Sequence, residues 1–179
     1  MKPGLRRLIH AATAALSLLA LHSPGALRIG TLALAGAVFG FEAVRLRWPA
    51  ANASIRRWLP VFRPREEARI SGAAWLALGY ALAALAPAPG PVVGILAGAL
   101  GDPAGSWIGG RWGGGQRKSW PGTAAVAVVT AVAAFAVGLP ILATAGAAIG
   151  AAVLERWPGP LDDNLLVPPG VALVAGWLA

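Results

Sequence analysis

The sequence predicts an all-α fold, a polytopic helical bundle embedded in a membrane. Hydrophobic residues make up 57% of the 179 residues and charged residues only 12%. The mean hydropathy of +0.66 is far above that of an ordinary soluble domain. The apolar residues fall into long runs that short polar segments separate. Cysteine is absent, so neither disulfide bonds nor thiolate–metal chemistry is available.

About seven apolar runs predict membrane-spanning helices. A helix needs about 20 apolar residues to cross a typical bilayer, and local thinning tolerates shorter ones. Only Gly138 and Pro140 separate the fifth run from the sixth, which predicts a tight turn between them. The predicted spans are residues 5–21, 29–44, 70–86, 91–110, 123–139, 141–154 and 165–179.

The first run also has the features of a secretory signal. Basic residues precede it, and the small residues of segment 23–26 follow it. Cleavage within that segment is one interpretation. We expect an uncleaved first span instead, because further spans follow it.

The distribution of cations predicts the orientation. The net charge of +8 could indicate a nucleic-acid partner, but the cations flank apolar segments, so we expect none. With the N-terminus in the cytoplasm, segment 45–69, Arg111, Arg117, Lys118 and Arg156 all lie inside. The acidic motifs then share the cytoplasmic face. The richness in Ala, Gly and Arg suggests a GC-rich bacterial genome, which indicates an inner (plasma) membrane.

The chain is expected to form a single domain, residues 1–179, with three polar connections. An interfacial loop covers residues 45–69, a second loop residues 102–122, and an acidic loop residues 155–164. Aromatic and apolar residues among the arginines of the first loop indicate a segment lying at the lipid interface. Anchoring is its ordinary role, and guidance of an anionic nucleotide or lipid is the alternative.

Paired glycines four residues apart predict close contacts between helices. The pairs are Gly36/Gly40, Gly94/Gly98 and Gly146/Gly150. We expect them to pack helices within one bundle. A homodimer is the alternative use of the same spacing.

All seven acidic residues belong to short polar motifs, and each is a functional candidate because burial of a charge in lipid is costly. Asp102 falls near the inner end of the fourth predicted span. Pro103 disfavours helical geometry at Asp102, which predicts a helix break lining a cavity. The alternative is that Asp102 caps the following helix. Both interpretations are compatible with a metal ligand.

A glycine-rich basic stretch follows Asp102. A flexible loop is the simple interpretation. Cations beside glycines instead favour an anion cradle made of side chains and exposed backbone amides, although no Walker A pattern is present. The next helix would begin at the same pocket. The candidate phosphate-binding residues are Gly109, Arg111, Gly113, Arg117, Lys118, Ser119, Gly122 and Thr123.

The acidic loop ends in Asp162-Asp163-Asn164. A turn with a helix cap is the simple interpretation. Two adjacent carboxylates repel each other, so a divalent cation or an arginine nearby would favour keeping them together. Oxygen ligands without thiolate or imidazole indicate Mg²⁺ or Mn²⁺. The candidate metal ligands are Asp102, Asp162, Asp163 and Asn164.

The remaining ionisable residues allow structural and functional interpretations. Glu42 with Arg45, and Arg63 with Glu66, are either scaffold ion pairs or members of the site. Glu155 has a supporting place in the acidic loop. His10 and His22 lie in or near the first span, away from the acidic cluster, and we expect them to be incidental.

Taken in order, these motifs resemble the CTP-dependent lipid-alcohol kinases, the group containing dolichol kinase, phytol kinase and yeast-type CTP-dependent diacylglycerol kinase. The resemblance covers most of the chain, although many members have Glu or Ala where Pro121 stands here. It rests on Glu42, Arg45, Arg63, Glu66, Ser71-Gly72, Gly101-Asp102-Pro103-Ala104, Ile108-Gly109, Gly113, Lys118-Ser119, Gly122-Thr123, Glu155 and Asp162-Asp163-Asn164.

The resemblance implies transfer of the γ-phosphate of CTP to a membrane lipid alcohol, with Mg²⁺. Asp102, Asp162 and Asp163 would hold the metal ion, Asp162 or Asp163 would accept the hydroxyl proton, and Lys118 would contact the phosphates. Phosphatidate cytidylyltransferase looks related, but its C-terminal Gly-Gly with a downstream Asp-Arg pattern is missing here. A transporter of a small anionic substrate is an alternative of another class, for which we find no inverted repeat.

Overall fold

The computed structural model describes residues 3–114 and 118–179. Within those ranges it contains helices and turns and no β-strand, so the prediction of an all-α fold is confirmed. A 3-10 turn, Pro64–Glu66, lies between the third and fourth helices. The helices are α1 (Gly4–His22), α2 (Pro24–Arg47), α3 (Pro49–Trp58), α4 (Gly72–Ala83), α5 (Gly90–Trp112), α6 (Trp120–Ala136), α7 (Ile141–Arg156) and α8 (Asp163–Trp177).

Three of these helices are long and apolar enough to cross a membrane. They are α1, α2 and α5, with 19, 24 and 23 residues. Helices α4 and α6 are apolar but shorter, and large apolar side chains such as Phe135 and Ile141 are 74% and 81% exposed. An outer surface of this kind is consistent with a membrane protein. The count of seven spans and the cytoplasmic N-terminus stay predictions.

Local sequence signals explain where the helices begin and end. Proline occupies the first turn of α2, α3, α5 and α6, where its missing N–H costs nothing. Ser71, Ser119 and Asp162 each accept a backbone N–H two or three residues further on, which caps α4, α6 and α8. Gly138 has a φ of +81° and makes the predicted tight turn between α6 and α7.

Helices α5 and α8 form the centre of the bundle. Helix α8 packs against α4, α5 and α7, while α5 also packs against α6 and α1. Helix α2 lies on α4, with α3 against α2. A Cβ added at Gly94 would collide with the Pro168 carbonyl oxygen, so the two backbones touch directly. The predicted close packing is therefore confirmed for Gly94/Gly98.

The glycine pair of α2 behaves differently. Within residues 3–114 and 118–179, no atom beyond the local backbone of α2 lies within 4 Å of a Cβ added at Gly36 or Gly40, so the prediction that this pair packs helices within the bundle is wrong. Helix α2 meets the bundle along one narrow face, which includes Leu27, Thr31 and Ala35. The four-residue spacing of glycines cannot distinguish these two situations.

We expect Gly94→Ala to destabilise the protein by about 1–3 kcal/mol or more, because the methyl group must force α5 away from α8. Gly36→Ala is the matched control in an open helix position, where alanine is the better helix former. Thermal unfolding of both variants in the same detergent measures the difference. Equal unfolding temperatures would contradict direct backbone contact between α5 and α8.

Helix α5 continues through Asp102 and Pro103, so the predicted helix break is wrong. Asp102 has helical dihedral angles, φ −59° and ψ −48°, and the preceding segment Ala97–Gly101 is a π-helix. In a regular α-helix the Pro103 ring would collide with the carbonyl group of Ala99. The wider π turn accommodates the ring, and such turns are frequent at functional sites.

Candidate functional site

The polar motifs meet around one cavity of about 1090 Å³. Its lining comes from segment 63–70, the second half of α5, the start of α6 and segment 155–165. The charged residues that line it are Arg63, Arg65, Glu66, Arg69, Asp102, Lys118, Glu155, Asp162 and Asp163. Five of the seven acidic residues of the chain are therefore brought together.

Lys118 is the hub of the ion-pair network at one wall of this cavity. Its Nζ lies 2.7 Å from Glu155 Oε1 and also contacts Asp163 Oδ2. The Thr123 hydroxyl donates to Glu155 Oε2 at 2.7 Å. The network ties the start of α6, the end of α7 and the start of α8 together.

The charges of the network influence one another. Burial alone would lower the pKa of Lys118, but Asp163 and Glu155 raise it above its ordinary value, so Lys118 stays a cation at neutral pH. Burial raises the pKa of Asp162, and the charge of Asp163 raises it further. For Asp163, burial opposes ionisation, but Lys118 beside it lowers the pKa overall. Asp162 is therefore the better proton acceptor of the two at neutral pH.

Asp162 and Asn164 also form the helix cap that the simple interpretation of their motif predicts. Asp162 Oδ1 accepts the backbone N–H of Asn164 at 3.1 Å and its side-chain amide at 2.7 Å. Asn164 is buried. The cap fixes Asp162 at the cavity wall.

A second, small chamber adjoins the cavity. Its volume is about 20 Å³, enough for one water-sized ligand. Its polar lining consists of Asp102, Glu155, Asp163 and Asn164. Among the described residues, no three Asp, Glu or His side chains are grouped closely enough to form a ready-made metal centre. Asp102 and Asp163 nevertheless border the same small space.

Asp102 lies on α5 directly after the π segment and is partly exposed to the cavity, with 31% of its side-chain surface accessible. His10 Nδ1 lies 3.3 Å from Asp102 Oδ2. The expectation that His10 lies away from the acidic residues is therefore wrong. The signal that could have found it is simple: an ionisable residue within an apolar span is a functional candidate, whatever its sign.

The predicted cradle of free amides at Gly109 and Gly113 is also wrong. Gly109 lies within α5, and the Gly113 N–H donates to the Gly109 carbonyl oxygen at 2.8 Å. These glycines pack α5 against α6, because a Cβ at Gly109 would lie 2.7 Å from Ser119 Oγ. Gly101, Gly105, Gly109 and Gly113 recur every four residues and face α6 together.

The other predicted phosphate-binding residues divide into four groups. Lys118, Ser119 and Gly122 line the cavity, while the Thr123 hydroxyl is bonded to Glu155. Arg111 is exposed and stacks over the Trp112 ring, 5.7 Å from its centroid, so the structure does not bring it to the cavity. Arg117 lies outside the described residues.

Glu42, Arg45 and Glu66 are scaffold residues. Arg45 is fully buried, pairs with Glu42 at 2.6 Å and donates to the carbonyl oxygens of Glu66 and Arg69 at 2.8 and 2.7 Å. Glu66 accepts the backbone N–H groups of Arg63 and Gly72 and pairs with Arg6. These contacts shape segment 63–72.

Segment 63–72 contributes positive charge to the lining of the cavity. Arg63, Arg65 and Arg69 of this segment line the same cavity as Lys118. The sequence left Arg63 open between an ion pair with Glu66 and a member of the site. The side chain of Glu66 instead binds the backbone of Arg63, which leaves the Arg63 guanidinium at the cavity.

We expect Lys118→Met to lower the free energy of unfolding by about 1–3 kcal/mol, because it leaves Glu155 and Asp163 partly buried without their cation. Lys118→Arg keeps the charge and should recover most of the loss. Arg111→Met, at an exposed cation, is the matched control and should stay close to the wild type. Thermal unfolding in one detergent measures all three. A Lys118→Met protein as stable as the wild type would contradict the hub role.

The arrangement combines features suited to a polyanion bound near lipid. Cations and carboxylates suited to a divalent ion line the same cavity, and Leu46, Ile70 and Trp75 add an apolar wall. Comparisons of the chain with protein-family models, with curated proteins and with solved structures find no match.

Proposed function

We propose that this protein is a membrane-embedded kinase that transfers the γ-phosphate of CTP to the hydroxyl group of a lipid alcohol. The observation that supports this most is the meeting of five carboxylates with Lys118 and three arginines around one cavity. Phosphoryl transfer needs positioned reactants and neutralised phosphate charge more than covalent help from the protein. The resemblance in motif order to the CTP-dependent lipid-alcohol kinases supports the choice of donor.

The acceptor in this proposal is a polyprenol, a phytol-like alcohol or a diacylglycerol. The same cavity has charged residues and an apolar wall, which includes Leu46, Ile70 and Trp75. A lipid acceptor needs both, because its hydroxyl must reach the phosphate while its chain stays in an apolar environment. The proposed location is the inner membrane of a bacterium, with the cavity open to the cytoplasm.

In the proposed reaction the acceptor oxygen forms a bond to the γ-phosphorus. The bond from that phosphorus to the oxygen bridging the β- and γ-phosphates breaks, and CDP leaves. Asp162 accepts the hydroxyl proton, in keeping with its raised pKa. Lys118, whose pKa is also raised, binds phosphate as a cation. Arg63, Arg65 and Arg69, which line the same cavity, bind the remaining phosphate oxygens.

The residues present suit a divalent cation, since several carboxylate oxygens border the cavity and its adjoining chamber. Mg²⁺ or Mn²⁺ would be held by Asp102 and Asp163, with Asp162 and Asn164 beside them. When bound, the ion would supply neutralisation of the triphosphate charge. Lys118 contacts Asp163 Oδ2, and Asp163 Oδ1 accepts the backbone N–H of Asn164 at 3.0 Å, so the ion would share Oδ1 with that hydrogen bond.

The test is transfer of label from CTP into a panel of lipid alcohols and phosphatidic acid, with purified protein and Mg²⁺. We expect label to enter lipid from γ-labelled CTP and not from α-labelled CTP, and the best acceptor then identifies the substrate. Transfer from the α position would instead make the protein a cytidylyltransferase. No transfer from either position, with substrate binding retained, would contradict the proposal and favour a transporter.

A further inference from the structure

His10 occupies a position that its sequence context does not suggest. It lies in α1, is 3% exposed, and belongs to the part of α1 that packs against the π segment and the second half of α5. A buried imidazole in an apolar helix ordinarily bonds to a carbonyl group or a hydroxyl nearby. Here the polar atom next to Nδ1 is Oδ2 of Asp102, at 3.3 Å.

The neighbouring hydroxyl groups are occupied elsewhere. The Thr13 hydroxyl donates to the backbone carbonyl oxygen of His10 at 2.5 Å and lies 2.7 Å from the Tyr80 hydroxyl. Neither contact involves the imidazole ring. In the part of the chain that the structure describes, Nδ1 of His10 is buried without a hydrogen bond of good geometry. Among the same residues, Asp102 is the ion-pair partner that approaches it.

The Asp102 carboxylate in turn needs a partner that fixes its orientation. Its carboxylate borders both the large cavity and the small chamber, and 31% of its side-chain surface is accessible. Among residues 3–114 and 118–179, His10 is its only ion-pair partner. Lys118, the cation that holds Asp163, is engaged with Glu155 and Asp163. Without His10, the Asp102 side chain would be free to rotate at the cavity wall.

We propose that His10 is a positioning residue for Asp102. Its Nδ1–H tightens onto Oδ2 when the site is filled, which keeps the second carboxylate oxygen available to a divalent cation in the cavity. Partners that orient a ligating carboxylate in this way typically contribute about 10- to 100-fold to metal affinity or activity. The inference rests on the proposed function, and it makes α1 part of the site as well as an anchor.

Three substitutions of the full-length protein in detergent test the inference. His10→Asn places an amide nitrogen near the position of Nδ1, His10→Gln places one near Nε2, and His10→Leu supplies none. We expect His10→Leu and His10→Gln to lower kcat and weaken Mn²⁺ binding, each by about 10- to 100-fold. His10→Asn should recover most of both. The KM for the lipid should change little, because His10 is not part of the apolar wall.

His22→Leu is the matched control, since His22 is an exposed histidine at the other end of the same helix. Mn²⁺ binding is measured by electron paramagnetic resonance without CTP or lipid, so this readout does not require turnover. A wild-type protein that binds Mn²⁺ but transfers no phosphate contradicts the proposed function, while the His10 series still tests positioning. Equal Mn²⁺ affinity in the Asn and Gln variants, or no Mn²⁺ binding by the wild type, would overturn the inference.

Discussion

Asp102→Asn is expected to reduce transfer of the CTP γ-phosphate to lipid by about 1000-fold, while the protein remains folded and extractable. The substitution keeps the size and shape of the side chain and removes its charge. Asp102 is partly exposed and does not cap a helix, so the fold has little need of its carboxylate. The cavity loses the one acidic group that lies on α5.

The measurement is steady-state transfer from γ-labelled CTP, together with the unfolding temperature of each protein. Glu67→Gln is the matched control, because Glu67 is an exposed carboxylate paired with Arg56 at 2.7 Å and does not line the cavity. We expect it to keep wild-type activity. Retained activity in Asp102→Asn would remove Asp102 from the set of metal ligands. Unfolding of that variant would show instead that the carboxylate is structural.

Arg45→Met is expected to give the largest loss of stability, about 3–5 kcal/mol, because it leaves the buried carboxylate of Glu42 without its cation. Arg45 is fully buried, and its guanidinium also donates to carbonyl oxygens of Glu66 and Arg69 and lies 4.9 Å from the centroid of the Phe62 ring. Removing it frees segment 63–72 from α2. The arginines that face the cavity from that segment then lose their fixed positions.

Arg47→Met provides the control, since Arg47 is exposed two residues further along α2. Its effect should be within about 0.5 kcal/mol of the wild type. Unfolding in one denaturant series compares the two variants. The double variant Glu42→Gln with Arg45→Met should recover part of the loss, because no buried charge is left unpaired. A double variant less stable than Arg45→Met would show that Glu42 is not the source of the penalty.

Much of the fold could be predicted from the sequence, because hydrophobic runs and proline or serine signals act locally. The tight turn at Gly138 is an example. The path of α5 could not be predicted in this way. Pro103 disfavours a helix at Asp102 in isolation, but packing of the π segment against Tyr80 and Pro168 overrides that local preference.

The candidate site was predicted in part. Sequence reasoning grouped Asp102, Lys118, Asp162 and Asp163, which the structure places at one cavity. It missed His10, because the rule that an ionisable residue in an apolar span is a functional candidate was applied only to the acidic residues, and the contact with Asp102, 92 positions away, shows only in the fold. It also misjudged Gly109 and Gly113, because glycine serves equally in a loop that binds anions and in a close contact between helices.

The direct backbone contact of α8 with α4 and α5 has a consequence for biosynthesis. Helix α8 leaves the ribosome after α4 and α5, yet its backbone lies directly against Gly79 and Gly94, and its first residue completes the Lys118 network. Until α8 docks, the glycine faces of α4 and α5 are uncovered and Lys118 lacks its contact with Asp163. The contacts that cover these glycines and complete the charge pairs therefore form only after the last helix has been made.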